Sequence, residues 1–324
     1  PEREKISPAE MVFGFVEELE KKLVPGEDKN VLQALAYAGR VRFSHGIWQP
    51  KDDQKPYSPA VTLKILDTPK PPSPALYFTQ KTGNPQYIAK KDLNLGKHKP
   101  QGRKFYLHKH QKESDPWRSL ITSGGKEARL KQKVKVTPVP SERAFWFHID
   151  FDNLNGYELG MLLYALKPNE KFRHKIGMGK SLGLGSVCID PVALLLIDRS
   201  SRYLKKDPFS SSRYTCIMVA SRENWRRRPD LYALDENEKI EFVQDFKVRE
   251  KFSRIIRPDI KYAIELIGDP EKIRHPVHTP LTGKQKGKLA EKDSFEWFSK
   301  NNKGKSQYLK PIKKDQPLPT LKRN

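Results

Sequence analysis

Cysteine is scarce in this 324-residue chain: Cys188 and Cys216 are the whole complement, too few for a disulfide framework or a cysteine-rich zinc site. A reducing, cytoplasmic setting is therefore expected. Long hydrophobic runs are missing as well. No stretch approaches the roughly 18 uninterrupted apolar residues that a membrane span requires, and the charged start is unlike a signal peptide, so no membrane partner is expected. Acid is in short supply. Against 62 Lys and Arg stand 39 Asp and Glu, giving a formal net charge of +23 and a pI ≈ 9.8. Such an excess opposes compaction by self-repulsion and favours a polyanionic partner, most simply a nucleic acid backbone. Apolar residues make up only 36% of the chain and mean hydropathy is -0.76, which leaves a core but assigns much of the chain to surface, loop or interface. The length suits two domains or one elaborated domain. Because the chain opens on Pro1 without an initiator methionine, it is expected to be a processed chain, a fragment or the later part of a fusion.

Glycine, by contrast, is concentrated. His174 to Val187 reads HKIGMGKSLGLGSV, with Gly177, Gly179, Gly183 and Gly185 beside Lys175, Lys180 and Ser181. Glycine permits positive φ and close approach of another backbone, and successive N–H groups in such a loop can line a concave anion site. Two nucleotide loops are excluded by spacing. A P-loop ending in Gly179-Lys180-Ser181 would need glycine at His174, and a dinucleotide fingerprint starting at Gly177 would need glycine at Leu182. The order of elements is also reversed, since a helical pattern precedes the glycines and a strand-like run, Val187 to Ile197, follows them. A loop that contacts phosphates is the functional reading; a glycine-rich turn is the plain alternative.

Elsewhere the chain alternates clear and irregular stretches. Ser7-Pro8-Ala9-Glu10 has the form of a capping box and predicts a helix from Pro8 to about Lys22. Leu35 to Trp48 reads as a strand, with Arg40, Arg42 and Ser44 on the face opposite Val41 and Phe43. Val61 to Leu66 is a short alternating strand, ended by the four prolines between Asp67 and Pro74. Lys97 to Lys112 carries six Lys or Arg, three histidines and no acid around Phe105 and Tyr106, a mixture suited to single-stranded nucleic acid unless the rings anchor a long loop. His108 and His110 have no cysteine or second histidine pair nearby to make a metal site. Ala144 to Phe151 alternates as a strand, and Asn155 with Glu158 opens a helix lined by Leu159, Leu162, Leu163 and Leu166. Strand, helix, loop, strand is half of a ferredoxin-like, RRM-like unit. Asp150 and Asp152 on the polar face of that strand are candidates for a metal, with ordinary solvation as the alternative. Trp225-Arg226-Arg227-Arg228 is a compact cationic cluster, Lys251 to Leu266 is a helix or a strand pair, and His275 with His278 marks a stiff turn. The tail from Ser299 has eight Lys or Arg against one acid and is expected to lie extended or mobile.

Seven ordered segments carry a family resemblance: ISPAEMVFGFV, AYAGRVRFSHG, GRKFYLHK, FDNLNGYELGMLLYAL, HKIGMGKSLGLGSV, FEWFSK and LPTLKR, spanning Ile6 to Arg323. With them the chain resembles the RAMP superfamily, the backbone subunits of type III CRISPR effector complexes, in the branch with large insertions found in subtype III-D and in fused single-chain effectors. The resemblance implies an α+β, ferredoxin-like (RRM-like) RAMP core with large irregular insertions. Residues 1–70 would form part of the core and 71–137 a basic insertion rich in proline and glycine. The core with its glycine-rich loop would continue over 138–200, and 201–324 would be an extension with a basic tail. The implied partners are guide RNA (crRNA), complementary target RNA and other RAMP-type subunits. By position, Gly177, Met178, Gly179, Lys180, Ser181 and Gly183 would meet guide phosphates, supported by Arg173, His174 and Lys175. Arg40, Arg42, Arg103, Lys104 and Arg129 join them as basic candidates.

The resemblance has a gap. The early part of the family pattern, with the aspartate that promotes metal-dependent cutting of target RNA, would lie before Pro1, so the chain is expected to bind and position RNA without cutting it alone. No cofactor is identified, and Mg²⁺ would enter only if target RNA is cut. The competing readings are a metal-dependent endoribonuclease, acting on target RNA or on precursor guide RNA, and a general RNA-binding protein.

Overall fold

The structure is a computed structural model that describes residues 6–18, 34–51, 53–64, 77–82, 88, 90–100, 102–108, 118–120, 123, 133–204, 214–229, 239–272 and 297. Helix α1 (Pro8–Phe13) is followed by β1 (Phe15–Glu18), β2 (Ala34–Tyr37), β3 (Val41–Phe43) and β4 (Ile47–Trp48). Next come β5 (Val61–Thr62), β6 (Phe78–Gln80), β7 (His98–Pro100), β8 (Lys135–Val136), β9 (Phe145–Trp146) and β10 (Ile149–Phe151). Helix α2 (Gly156–Leu166) precedes β11 (His174–Lys175), β12 (Ser186–Val187) and β13 (Ala193–Leu196). The remainder holds α3 (Arg199–Tyr203), β14 (Cys216–Val219), α4 (Arg222–Arg226), β15 (Ile240–Phe242), α5 (Lys247–Ile255) and α6 (Pro258–Gly268). The chain is thus a mixed α+β protein with small sheets. Its described strands pair two by two and antiparallel, except for β13-β14-β15, in which β14 and β15 run parallel.

Two compact units divide the chain, and each draws on three segments. One comprises Pro1–Pro56, Ser141–Lys167 and Asp190–Ile256; the other comprises Tyr57–Pro140, Pro168–Ile189 and Arg257–Asn324. The glycine-rich stretch groups with the basic insertion.

In the first unit, the capping box forms: Glu10 N donates to Ser7 Oγ and Ser7 N donates to Glu10 Oε2. The helix is shorter than its apolar spacing predicts. It stops at Phe13 because Gly14 takes φ 74 against the Tyr37 carbonyl, and the aromatic and β-branched residues after it pair as strand β1 with β2. The single strand expected over 35–48 is three pieces. β2 pairs with β1, while β3 and β4 pair with β10 and β9 of one neighbouring stretch; Phe43 faces Ile149 and Ile47 faces Trp146, so one extra residue between Phe43 and Ile47 interrupts the ladder as a bulge. The strand expected over 144–151 is divided opposite that bulge, into β9 and β10. The strand expected over 187–197 is likewise interrupted between β12 and β13, where Pro191 stands.

Arg40 sits at the break between β2 and β3 rather than on an open cationic face. Its guanidinium donates to Met11 O at 2.9 and 3.0 Å, to Asn153 O at 2.7 Å and to Glu158. Glu158 is buried, and the hydrogen bond from Arg40 holds its carboxyl below the usual range despite desolvation. Glu158 also completes the α2 capping box with Asn155, so one carboxylate joins helix start, α1 and the strand break.

The core beneath α2 unites Leu159 and Leu163 with Leu194 of β13 and Phe246, ringed by Phe151, Leu154, Leu196 and Met218. α5 packs closely on α2, because Gly160 leaves room: a Cβ there would lie 2.6 Å from Val248 O. The segment around Lys251 to Leu266 is helical, as α5 and α6.

Candidate nucleic-acid interface

The glycine-rich stretch is the end of a β-hairpin. β11 pairs with β12 in the register His174 to Val187 and Lys175 to Ser186, and Ile176 N donates to Gly185 O at 2.9 Å. Gly177, Gly179, Gly183 and Gly185 all have positive φ, at 73, 77, 111 and 77°. Gly185 has no substitute, since a Cβ would stand 1.9 Å from Ile176 O. Gly177 differs: a Cβ there would meet nothing within 4 Å, so only its backbone angle demands glycine.

Between the strands, Lys180 to Leu182 form a 3-10 turn. It is closed by Leu182 N to Gly179 O at 2.9 Å and by Gly183 N to Lys180 O at 3.2 Å, and it is anchored by buried Leu182. Leu184 N also donates to Gly179 O at 3.2 Å. The N–H groups of Gly177, Met178, Gly179, Lys180 and Ser181 have no acceptor among the described residues. Successive N–H groups on backbone that alternates left- and right-handed conformations can line an anion site; here Gly177 and Gly179 have positive φ, and Gly179 is buried. Ile176 and Met178 are exposed beside them.

The cations of the stretch divide into two kinds. Lys175 Nζ donates to Gly183 O and Leu184 O, both at 3.0 Å, and so clasps the far side of the loop. Arg173 turns inward too, donating to Glu170 O at 3.1 Å and Phe172 O at 2.9 Å, while its own N–H reaches Gly268 O at the end of α6. The His174 ring meets Phe172 edge-on at 4.9 Å. Lys180 alone of these cations makes no side-chain hydrogen bond or ion pair with a described residue.

His108 ties the basic insertion to this hairpin. It is buried, with Nε2 2.9 Å from Arg173 O and Nδ1 2.9 Å from Ser186 Oγ. A carbonyl only accepts, so Nε2 carries the proton and Nδ1 accepts from the serine hydroxyl. Burial, followed by nearby Lys175, Arg173 and His174, pushes its pKa below the usual histidine range against the raising effect of the Arg173 carbonyl. His108 is thus a structural tether. Lys104 lies four residues back, with Nζ 2.9 Å from Tyr77 Oη and 4.6 Å from the Tyr106 ring centroid. Burial alone would lower the Lys104 pKa; the hydrogen bonds to Tyr106 and Tyr77 outweigh it, and the net shift is upward. Arg103 and Phe105 point elsewhere, exposed and without a hydrogen bond, ion pair or ring contact to any described residue.

No family model matches the chain, and no curated protein matches it.

The remaining candidates fall outside this cluster. Arg42 is in the first unit, exposed, and donates to Asp152 Oδ2 at 2.9 Å; Arg199 holds the other oxygen of Asp152. Hydrogen bonds from Arg199 and then Arg42 keep the Asp152 carboxyl below its usual range. Asp150 is exposed, with His148 Nε2 3.5 Å from Oδ2. Among the described residues no group of three or more His, Cys, Asp or Glu gathers to hold a metal. Trp225 is buried in a core with Ile217 and Val219, and Arg228 lies over its ring, so the aromatic of that basic cluster is a packing residue. Arg129, His110, His275, His278 and the tail from Ser299 lie outside the described residues. Among the described residues, no helix is long and apolar enough to cross a membrane.

Two functional assignments were not visible along the sequence. Lys175, which clasps the loop, and Lys180, which bonds to no described side chain, are five residues apart and chemically identical. Only the carbonyls of Gly183 and Leu184 distinguish Lys175 from Lys180. His108 had a weak signal, since Lys104, Tyr106 and His108 share one parity and all three are held.

Proposed function

We propose that this chain is a guide-RNA-binding backbone subunit of a type III CRISPR effector complex, in which the β11–β12 hairpin end holds phosphates of the guide. The observation that carries the reading is the row of five amides from Gly177 to Ser181 that have no acceptor among the described residues, with half-buried Lys180, which bonds to no described side chain, among them. Neutral donors fixed in place suit a phosphodiester, which returns at every nucleotide irrespective of sequence. The net charge of +23 supplies the long-range attraction.

The ferredoxin-like reading of the core is part of the same proposal. It is supported by α2 packing its leucines on Phe151 of β10 and on Leu194 and Leu196 of β13. The other RAMP-type subunits and the complementary target RNA enter as partners through the same resemblance. No specific observation favours the nuclease alternative, and Asp152 is engaged by two arginines.

The test is to purify the complex by co-expression with its neighbours and sequence the RNA that stays with this chain at moderate salt. Discrete guides sharing a repeat-derived end are the expected result. A broad sample of cellular RNA, or none, would return the chain to a general basic binding protein.

A further inference from the structure

Of the residues between Gly102 and His108, one set is committed and another is not. Lys104 bonds to Tyr77 and lies over the Tyr106 ring, and His108 is locked to Arg173 and Ser186 at the base of the glycine hairpin. Arg103 and Phe105, on the opposite parity, make no hydrogen bond, ion pair or ring contact with any described residue, and Phe105 is 56% exposed. Phe105 follows the two cations Arg103 and Lys104, and its chain neighbours Lys104 and Tyr106 are engaged with each other and with Tyr77 while its own ring stands exposed. His108 is three residues from Phe105, so at most ~11 Å of chain separates their Cα atoms and the ring stands close to the hairpin that carries the unpaired amides.

We infer that Phe105, with Arg103 beside it, is a base-stacking subsite for single-stranded RNA whose backbone is held by the Gly177–Ser181 amides. This inference rests on the RNA-binding reading of the hairpin. Its chemistry is separate. Stacking on a phenyl face is open to every base, so the subsite adds affinity without choosing a sequence, while Arg103 meets a phosphate of the same strand. Lys104, drawn back by Tyr77 and Tyr106, braces the segment and keeps Phe105 turned outward. Tyr106, the other ring considered from the sequence, is half-buried and engaged with Lys104, which leaves Phe105 as the stacking residue.

The experiment measures binding of a labelled oligouridine, and of the same oligomer with abasic riboses, to the full chain and to Phe105→Leu, Phe105→Trp, Arg103→Gln and Gly177→Ala. Phe105→Leu is expected to weaken binding of the intact oligomer about ten-fold, to leave the abasic oligomer unchanged and to keep the salt slope, while Phe105→Trp retains affinity. Arg103→Gln is expected to lower the log–log salt slope by about 0.7, the amount for one phosphate on a single strand. The thermal midpoint of Phe105→Leu should stay near the parent value, because the ring is 56% exposed and leucine keeps an apolar side chain there. If Gly177→Ala weakens binding but Phe105→Leu does not, or if Phe105→Leu weakens the abasic oligomer equally, the stacking subsite is overturned and the hairpin reading stands. If the parent chain binds neither oligomer, both are overturned.

Discussion

Gly185 and Gly177 differ in what a methyl group would meet, and that difference separates folding from binding at the hairpin. Gly185→Ala drives a Cβ into Ile176 O and should open the β11–β12 pair, seen as loss of amide protection across it. Gly177→Ala enters open space, so its cost is the left-handed strain of about 1–2 kcal/mol, and any larger loss of RNA affinity reports a ligand at that surface. Gly179 is a less clean probe, because a Cβ there would come 2.8 Å from Leu184 Cδ1. The two lysines make a second pair. Lys180→Gln should lower the salt slope of binding by about 0.7 with little change in the thermal midpoint. Lys175→Met should instead lower the midpoint, since it leaves Gly183 O and Leu184 O without their donor. Equal effects of both substitutions on salt slope would remove the distinction between clasp and contact.

His108 adds a pH dependence of definite sign. Its folded pKa lies below its unfolded value of about 6.5, so the unfolded chain binds more protons in that window and stability falls as pH drops below about 6.5. The contribution is fully present above that pH. Comparing urea midpoints at two pH values, above and below the histidine range, the parent should lose stability on acidification. His108→Gln should lose less, and an equal loss would show that the tether is not the titrating group.

At the scale of elements, α2 is the organising helix of the first unit, and two features set its position. One is the Arg40–Glu158 pair, which links the helix start to α1 and to the β2–β3 break. Glu158→Gln should lower the thermal midpoint clearly more than Glu223→Gln, whose pair with Arg227 is exposed on both sides. The other is Gly160. Gly160→Val would push α5 away through Val248 O and the Phe252 Cβ, 2.6 and 3.0 Å from the added atom, and overpacking of this kind costs about 1–3 kcal/mol, readable by urea unfolding. Both capping boxes were legible in the sequence because a cap is a local arrangement of four residues. The length of α1 was not. Apolar spacing through Leu19 looked helical, and the deciding contact, Gly14 against Tyr37, is made across 23 residues of sequence separation.

For the whole molecule, composition by itself determined a basic, cysteine-poor protein, because charge and cysteine number are sums that no fold alters. The sequence also determined where backbone must be permissive: four glycines within nine residues, from Gly177 to Gly185, are four positive φ angles. Tertiary structure decided which charges remain available. Arg40, Arg173 and Lys175 were basic candidates beside Lys180 and Arg103, and each is drawn to carbonyl or carboxylate oxygens of the chain: Arg40 to groups distant in sequence, Lys175 to carbonyls across the loop, Arg173 to its own neighbours Glu170 and Phe172. It also placed the glycine stretch in one unit with residues 57–140, where buried His108 bonds to Arg173 O 65 residues later and to Ser186. The physical reason is the same in both cases. A side chain's type fixes what bonds it can make, but the partner that takes them is chosen by what the folded chain brings within 3 Å, and periodicity along the sequence carries no record of that.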